Sequence, residues 1–363
     1  MAVRALSNCA GVRYSSGYSG GLMIVRGLIL LLLALSQTAR AGVMEFKPSA
    51  METKPGDRLL IRGIDGDVRI SAGKAAQIVV KVKQEIADNP SSAVRQSLDE
   101  WNFSMQRGEA GIEVSVQSPH TKEIWREILK SGGGPKFHIE IVAPAMPLEM
   151  AWRAGQVTLE NWSANAQISI QQGQIAVTGG TGDLKAIGQE ADIRVKSRAG
   201  RVEAESFSGK VVVATVKGNV DVECFNGDAS VQDVEGQISL KSFRSPITLS
   251  GGKGRIDFET IRGPIKISNF GGDLKGTSDE ASVTAKIAGA NEVRIVTNTG
   301  PVTLDLVNSG ASVTATSVEG AITGPPHMRA DQLAGQKMMR GRLKGGTDGS
   351  VVVRTQSGAI RIR

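Results

Sequence analysis

From Gly155 onward, apolar and polar residues alternate in short runs, and the alternation restarts every nine positions. Each run opens on a small residue, and the second and fourth residues after it are usually aliphatic, as in Gly218-Asn-Val220-Asp-Val222 and Gly236-Gln-Ile238-Ser-Leu240. A two-residue period marks a strand with one buried face, so each nine-mer predicts a short strand and a turn. Sixteen small residues hold this register from Gly155 to Ala290, and the spacing then relaxes to ten at Gly300, Gly310 and Gly320. Glycine suits the tight corner because positive φ or close backbone approach excludes a Cβ.

A strand this short cannot bury its apolar face alone, and stacking of successive units supplies the missing core. The array therefore predicts an all-β fold, a β-solenoid. A second period sharpens the geometry. The seventh residue after the small one is Phe207, Val216, Phe225, Val234, Phe243, Ile261 or Phe270, and phenylalanine recurs at 207, 225 and 243, eighteen apart. Two nine-residue units per parallel coil would put these rings on neighbouring rungs as an interior ladder. A meander of antiparallel hairpins also accommodates nine-residue units, and the eighteen-residue echo favours the coil.

Residues 43–150 have a looser texture. Arg58–Arg62, Val68–Ile70, Ile78–Val82, Ile112–Val116 and Phe137–Val142 predict strands, whereas Ser91–Met105 and His120–Lys130 predict helical excursions. This region is expected to be a less regular leading portion of the solenoid or a cap on its first coil. The array proper spans 151–326. A basic insertion over 327–348 contains Arg329, Lys337, Arg340, Arg342 and Lys344, and 349–363 is expected to supply the final strands. The insertion has two readings, a solvated hairpin loop or a basic finger that contacts a partner's phosphate or acidic glycan.

Composition then adds an address. Met23–Arg26, the apolar run Gly27–Leu35 and the small-residue end Ala39-Arg-Ala41 form a secretory signal pattern, and 1–22 read as an upstream extension. Export to the periplasm, outer surface or medium is the expectation, with the mature chain starting near Gly42. The formal charge of +7 includes Arg4, Arg13, Arg26 and Arg40, and no acid lies in 1–41, which leaves +3 after processing. Nucleic-acid binding loses its electrostatic support. Cys224 becomes the only thiol, which excludes an intrachain disulfide and fits a small core residue. No later stretch is long and apolar enough to span a membrane as a helix.

The entry Pro55-Gly-Asp-Arg-Leu59, the step Gly66-Asp-Val-Arg-Ile70, Ile139-Glu-Ile-Val-Ala-Pro144 leading into Gly155-Gln-Val-Thr-Leu159, and the close Thr355-Gln-Ser-Gly-Ala-Ile-Arg-Ile362 carry a resemblance. Through them most of the mature chain resembles the bacterial "putative adhesin" β-strand-repeat family. The resemblance implies an exported β-solenoid and brings no catalytic residues with it.

Candidate chemistry lies on the strand faces. With eighteen residues per coil, Glu203, Asp221, Ser239 and Asp257 form one column and Glu205, Glu223, Lys241 and Glu259 the next. The equivalent column of the other sheet, Arg194, Val212, Ser230, Thr248, Lys266 and Thr284, has no carboxylate. Like charges on adjacent rungs call for neutralisation, and calcium held by Glu203, Glu205, Asp221 and Glu223 is one candidate. The alternative is a hydrated row with Lys241 interposed. No nucleophile elbow, phosphate loop, nucleotide fingerprint or His-x-x-x-His pair is present. The functional expectation is a non-enzymatic structural or interaction module of the cell envelope, adhesive in role, that binds a glycan or envelope protein across a sheet face and needs no cofactor. The alternative is a polysaccharide-processing β-helix enzyme built on paired carboxylates. Oligomeric state is left open.

Overall fold

The computed structural model describes residues 42–86, 90–118, 126, 128, 130, 134–290, 292–307, 309–333, 335–343 and 349–363. The signal pattern and Lys344, with His120, Trp125 and Leu129 of the second expected helix, lie outside the described residues. Ala41–Arg363 form one compact unit.

Strands pair in parallel at intervals of eighteen. In one sheet Leu184 is in register with Ala166 and Val202, and Val202 with Val220. In the other, Ile193 is in register with Ile175 and Val211, and Val211 with Ala229. Alternate nine-residue units thus feed two sheets, and the chain is a β-solenoid. Its successive coils enter the first sheet at Leu148, Ala166, Leu184, Val202, Val220, Ile238, Ile256, Leu274 and Val293, about nine turns. Where the small-residue spacing relaxes, the rung step lengthens, so that Val283 meets Val302. The inward positions of both sheets form one continuous aliphatic core.

Two stretches depart from chain order. Leu59 pairs with both Ile112 and Leu148, so the coil over 59–72 lies between those over 111–143 and 148–160. At the opposite end Val351 pairs with both Val293 and Val313, and Ile360 with both Val302 and Ile322. Residues 349–363 supply the last strands in chain order, and in space they form the penultimate coil.

Excursions between these coils close the open edges. Gln77–Ile86 runs antiparallel to Lys136–Ala143, Asn102–Gly108 to Gly111–Gln117, and Gln336–Leu343 to Ala311–Ser317. A parallel edge left bare would template pairing with another chain, and an antiparallel cover satisfies the N–H and C=O groups of the coil strand it lies on. The region 43–150 thus combines two regular coils with a cap. Of the helix expected over Ser91–Met105, only Ser92–Gln96 and a 3-10 turn at Leu98–Glu100 form, the Ser91 hydroxyl accepting from the Val94 N–H at 3.2 Å. Alternation at Phe103 and Met105 makes Asn102–Gly108 a strand. Arg126, Ile128 and Lys130 are helical. No helix among the described residues is long and apolar enough to cross a membrane.

The corners carry their own ladders. Gly218 has φ 142°, and a Cβ there would collide with the Gly200 carbonyl oxygen on the rung beneath. At the same corner, lower in the stack, Arg198, 2% exposed, donates through Nε, Nη1 and Nη2 to the carbonyls of Gly182, Trp162, Gly179, Ala164 and Thr181 at 3.1–3.3 Å. Burial pushes its pKa down, yet its fork finds an oxygen in every direction. A third ladder is polar and buried. Hydroxyls of Ser206, Ser242, Thr260, Ser278 and Thr297 donate to turn carbonyls at 2.6–3.2 Å, and Cys224 takes the same place, its sulfur 3.7 Å from the Gly209 oxygen. Burial raises the pKa of this thiol, which suits the packing role expected of it.

Candidate functional site: one ordered sheet face

Strand Val202–Ser208 turns Val202, Ala204 and Ser206 inward and Glu203, Glu205 and Phe207 outward. Parallel pairing then stacks the outward residues. Glu203, Asp221, Ser239, Asp257 and Lys275 are in register, as are Glu205, Glu223, Lys241, Glu259 and Thr277. Arg194, Val212, Ser230, Thr248, Lys266 and Thr284 form the equivalent row of the second sheet. Both columns read from the sequence exist.

The phenylalanine ladder exists too, but on the outside. Phe207, Phe225, Phe243 and Ile261 are 58%, 42%, 39% and 39% exposed, which overturns the interior placement. The rings of Phe207 and Phe225 lie 5.6 Å apart between centroids with planes at 33°, and the Arg244 guanidinium sits 5.3 Å from the centre of the Phe243 ring. In the second sheet the seventh position is buried, as at Val216, Val234 and Phe270. The difference lies one residue earlier. Thr215, Asp233 and Asn269 adopt left-handed backbone, with φ 56°, 49° and 55°. That twist reverses the in-out alternation, and the first sheet lacks it at this point.

The acidic rows are neutralised largely from within. Lys185 Nζ donates to Glu203 and, at 3.1 Å, to Glu205; Arg201 Nε donates to Asp221 at 3.0 Å; Arg255 pairs with Asp257 at 3.2 Å. Hydrogen bonds from Lys185, and then with Glu205, hold the Glu203 carboxyl below the usual carboxylate range. The same contacts raise Lys185. Among the described residues no group of three or more His, Cys, Asp or Glu side chains converges as a metal cluster. Glu203, Glu205, Asp221 and Glu223, the calcium set, do line one groove of about 170 Å³ together with Arg201 and Lys241.

Further along the same face the charge changes sign. Lys275 is followed in register by Arg294, Val352, Thr314 and Arg340, and Thr277 by Val296, Arg354, Thr316 and Met338. Arg340 and Arg354 line a groove of about 630 Å³ with Thr277, Thr314 and Thr316. The basic insertion accordingly is an edge-covering strand. Arg340 and Arg342 join the sheet face, Lys337 Nζ instead donates to the Glu319 carbonyl at 3.0 Å, and Arg329 is exposed elsewhere on the hairpin. Sequence reasoning missed this basic half. Lys275 and Arg294 stack in chain order, whereas Arg354, Arg340 and Arg342 reach this face only through the out-of-order threading.

The fold and this face define an edge-capped β-solenoid with charge-ordered outer columns. No family model matches the chain, and no curated protein matches it. Solved structures similar to it include three from bacteria. A "putative cell adhesion protein" from Clostridium sporogenes shares 13% identity over 88% of this chain and 99% of its own, with TM-score 0.20. A "putative adhesin" from Bacteroides fragilis shares 8% over 89% and 97%, with TM-score 0.22. Another from Parabacteroides merdae shares 7% over 74% and 97%, with TM-score 0.25.

Proposed function

We propose that the protein is an exported interaction module of the cell envelope that adheres to a glycan or protein partner across its first sheet face and performs no catalysis. One observation carries the reading: polar and charged side chains stand in unbroken register over many rungs, uncovered by any other described element. Such a face offers many individually weak contacts that add by multivalency. The Met23–Ala41 pattern supports export.

The carboxylates favour adhesion over glycosidic hydrolysis. An acid-base pair needs one carboxyl raised by its surroundings and a second kept ionised. Glu203 is instead lowered by Lys185, whereas Asp65, the carboxyl that burial raises, is tied to Arg153 on another coil. Calcium remains a candidate ligand of the acidic rows, in competition with Lys185 and Arg201 for the same oxygens.

A glycan and surface-protein binding screen with the purified protein, with and without calcium, tests this function. Specific retention without product release is the expected result. Release of shortened saccharide would overturn it in favour of the hydrolase.

A further inference from the structure

The first sheet face is divided by charge along the stacking direction. On the five coils entered at Leu184 through Ile256, the three outward columns beside the phenylalanine ladder carry Asp183, Glu203, Glu205, Asp221, Glu223, Asp257 and Glu259 against Lys185, Arg201, Lys241 and Arg255, a net charge of −3. On the five rungs beyond, Lys275, Arg294, Arg354, Arg340 and Arg342 stand against Asp273 and Glu292, a net of +3. Equal and opposite halves on one surface are self-complementary under a two-fold rotation that reverses the stacking direction.

We propose that two copies of this chain pair antiparallel, face to face, through this surface, about a two-fold axis that runs parallel to the strands, between the Asp257 and Lys275 rungs. The inference rests on the adhesive reading and names the partner at the same face. With the axis there, the columns bring Asp257 opposite the partner's Lys275, Arg255 opposite the partner's Asp273, Glu223 opposite the partner's Arg354 and Asp183 opposite the partner's Arg342. Ile187 meets the partner's Met338. One like pair arises, Lys185 opposite the partner's Arg340, and Glu203 and Glu205 already hold that lysine.

Orientation and register both follow from the charges. A parallel pair would lay net negative on net negative. A slip of one rung would set Asp257 against the partner's Asp257, or Lys275 against the partner's Lys275. The surface has the extent a stable pair requires. Ten rungs of about 4.8 Å and three columns about 6.7 Å apart give roughly 48 by 20 Å, or about 1,900 Å² over both copies. Opposed charge of this kind governs association rate and partner choice and weakens with salt.

Sedimentation and light scattering of the purified protein at about 50 mM and about 500 mM salt test the pairing. A dimer at low salt whose dissociation constant rises at least tenfold at high salt is expected. Asp257→Lys with Glu223→Lys should give a monomer, and so should Lys275→Glu with Arg354→Glu. An equimolar mixture of the two variants should restore a heterodimer, which also shows that both are folded. A parent that stays monomeric at low salt, or a mixture that does not pair, overturns the proposal. If that monomeric parent is retained in the glycan and protein screen, the adhesive reading survives without self-pairing. If it binds inorganic polyphosphate through Lys275 and Arg354, the basic half belongs to a polyanion and the pairing is likewise refuted.

Discussion

Thr215 is an exposed residue held in left-handed backbone, a conformation that costs a β-branched side chain most. Asparagine occupies the same corner at 161 and 269, where its side chain tolerates this geometry. Thr215→Asn is therefore expected to raise stability by about 0.5–1 kcal/mol, read as a higher denaturation midpoint. Lys185 offers a second test. The depressed Glu203 carboxyl contributes stability above the ordinary carboxylate range and loses it as pH falls. Lys185→Met should cost about 1 kcal/mol or less at pH 7, and the gap between parent and variant melting temperatures should close toward acid pH. A gap that widens on acidification would refute the assignment. Phe225, exposed in its ladder, should cost less than about 1 kcal/mol on change to Ala, against the 3–5 kcal/mol of an interior ring. The acidic rows were legible because they depend only on the eighteen-residue period. The side on which the phenylalanines stand was not, since it turns on whether a left-handed residue precedes the seventh position, and the composition of a nine-mer does not reveal that.

Individual strands were legible from alternation: Ile78–Val82, Ile112–Val116 and Phe137–Val142 lie within observed strands, and all of Arg58–Arg62 but its first residue does. Their spatial order was not, because inward Val293, Val313 and Val351 present the same pattern whichever neighbours they take. What sets the order is the hairpin over 324–343, which covers the edge of Ala311–Ser317 and lets the chain return beneath it. Paired cysteines test this insertion directly on the outward face in a Cys224→Ser background. Arg294→Cys with Val352→Cys, and Val352→Cys with Thr314→Cys, should each oxidise to a disulfide, since paired rungs lie within its reach. Arg294→Cys with Thr314→Cys should not, being separated by an intervening strand. Efficient cross-linking of that last pair would mean the coils stack in chain order.

Across the whole molecule, function rests on the faces, and the faces rest on two nine-residue units closing one parallel coil. Antiparallel strands cover the coil edges at Gly111–Gln117, Lys136–Ala143 and Ala311–Ser317, while the outward sheet surfaces have no such cover among the described residues. The sign reversal along one face follows from the same stacking, with the acidic half and Lys275 and Arg294 built from successive coils and Arg354, Arg340 and Arg342 supplied by displaced segments. Pulsed electron-spin resonance between nitroxides at Gln167 and Ser239 measures the stacking itself. These residues occupy one column four rungs apart, so the predicted separation of their backbones is about 19 Å. A back-and-forth meander would place eight strand spacings between them, about 38 Å, and a distance near that value would contradict the solenoid and every surface column derived from it.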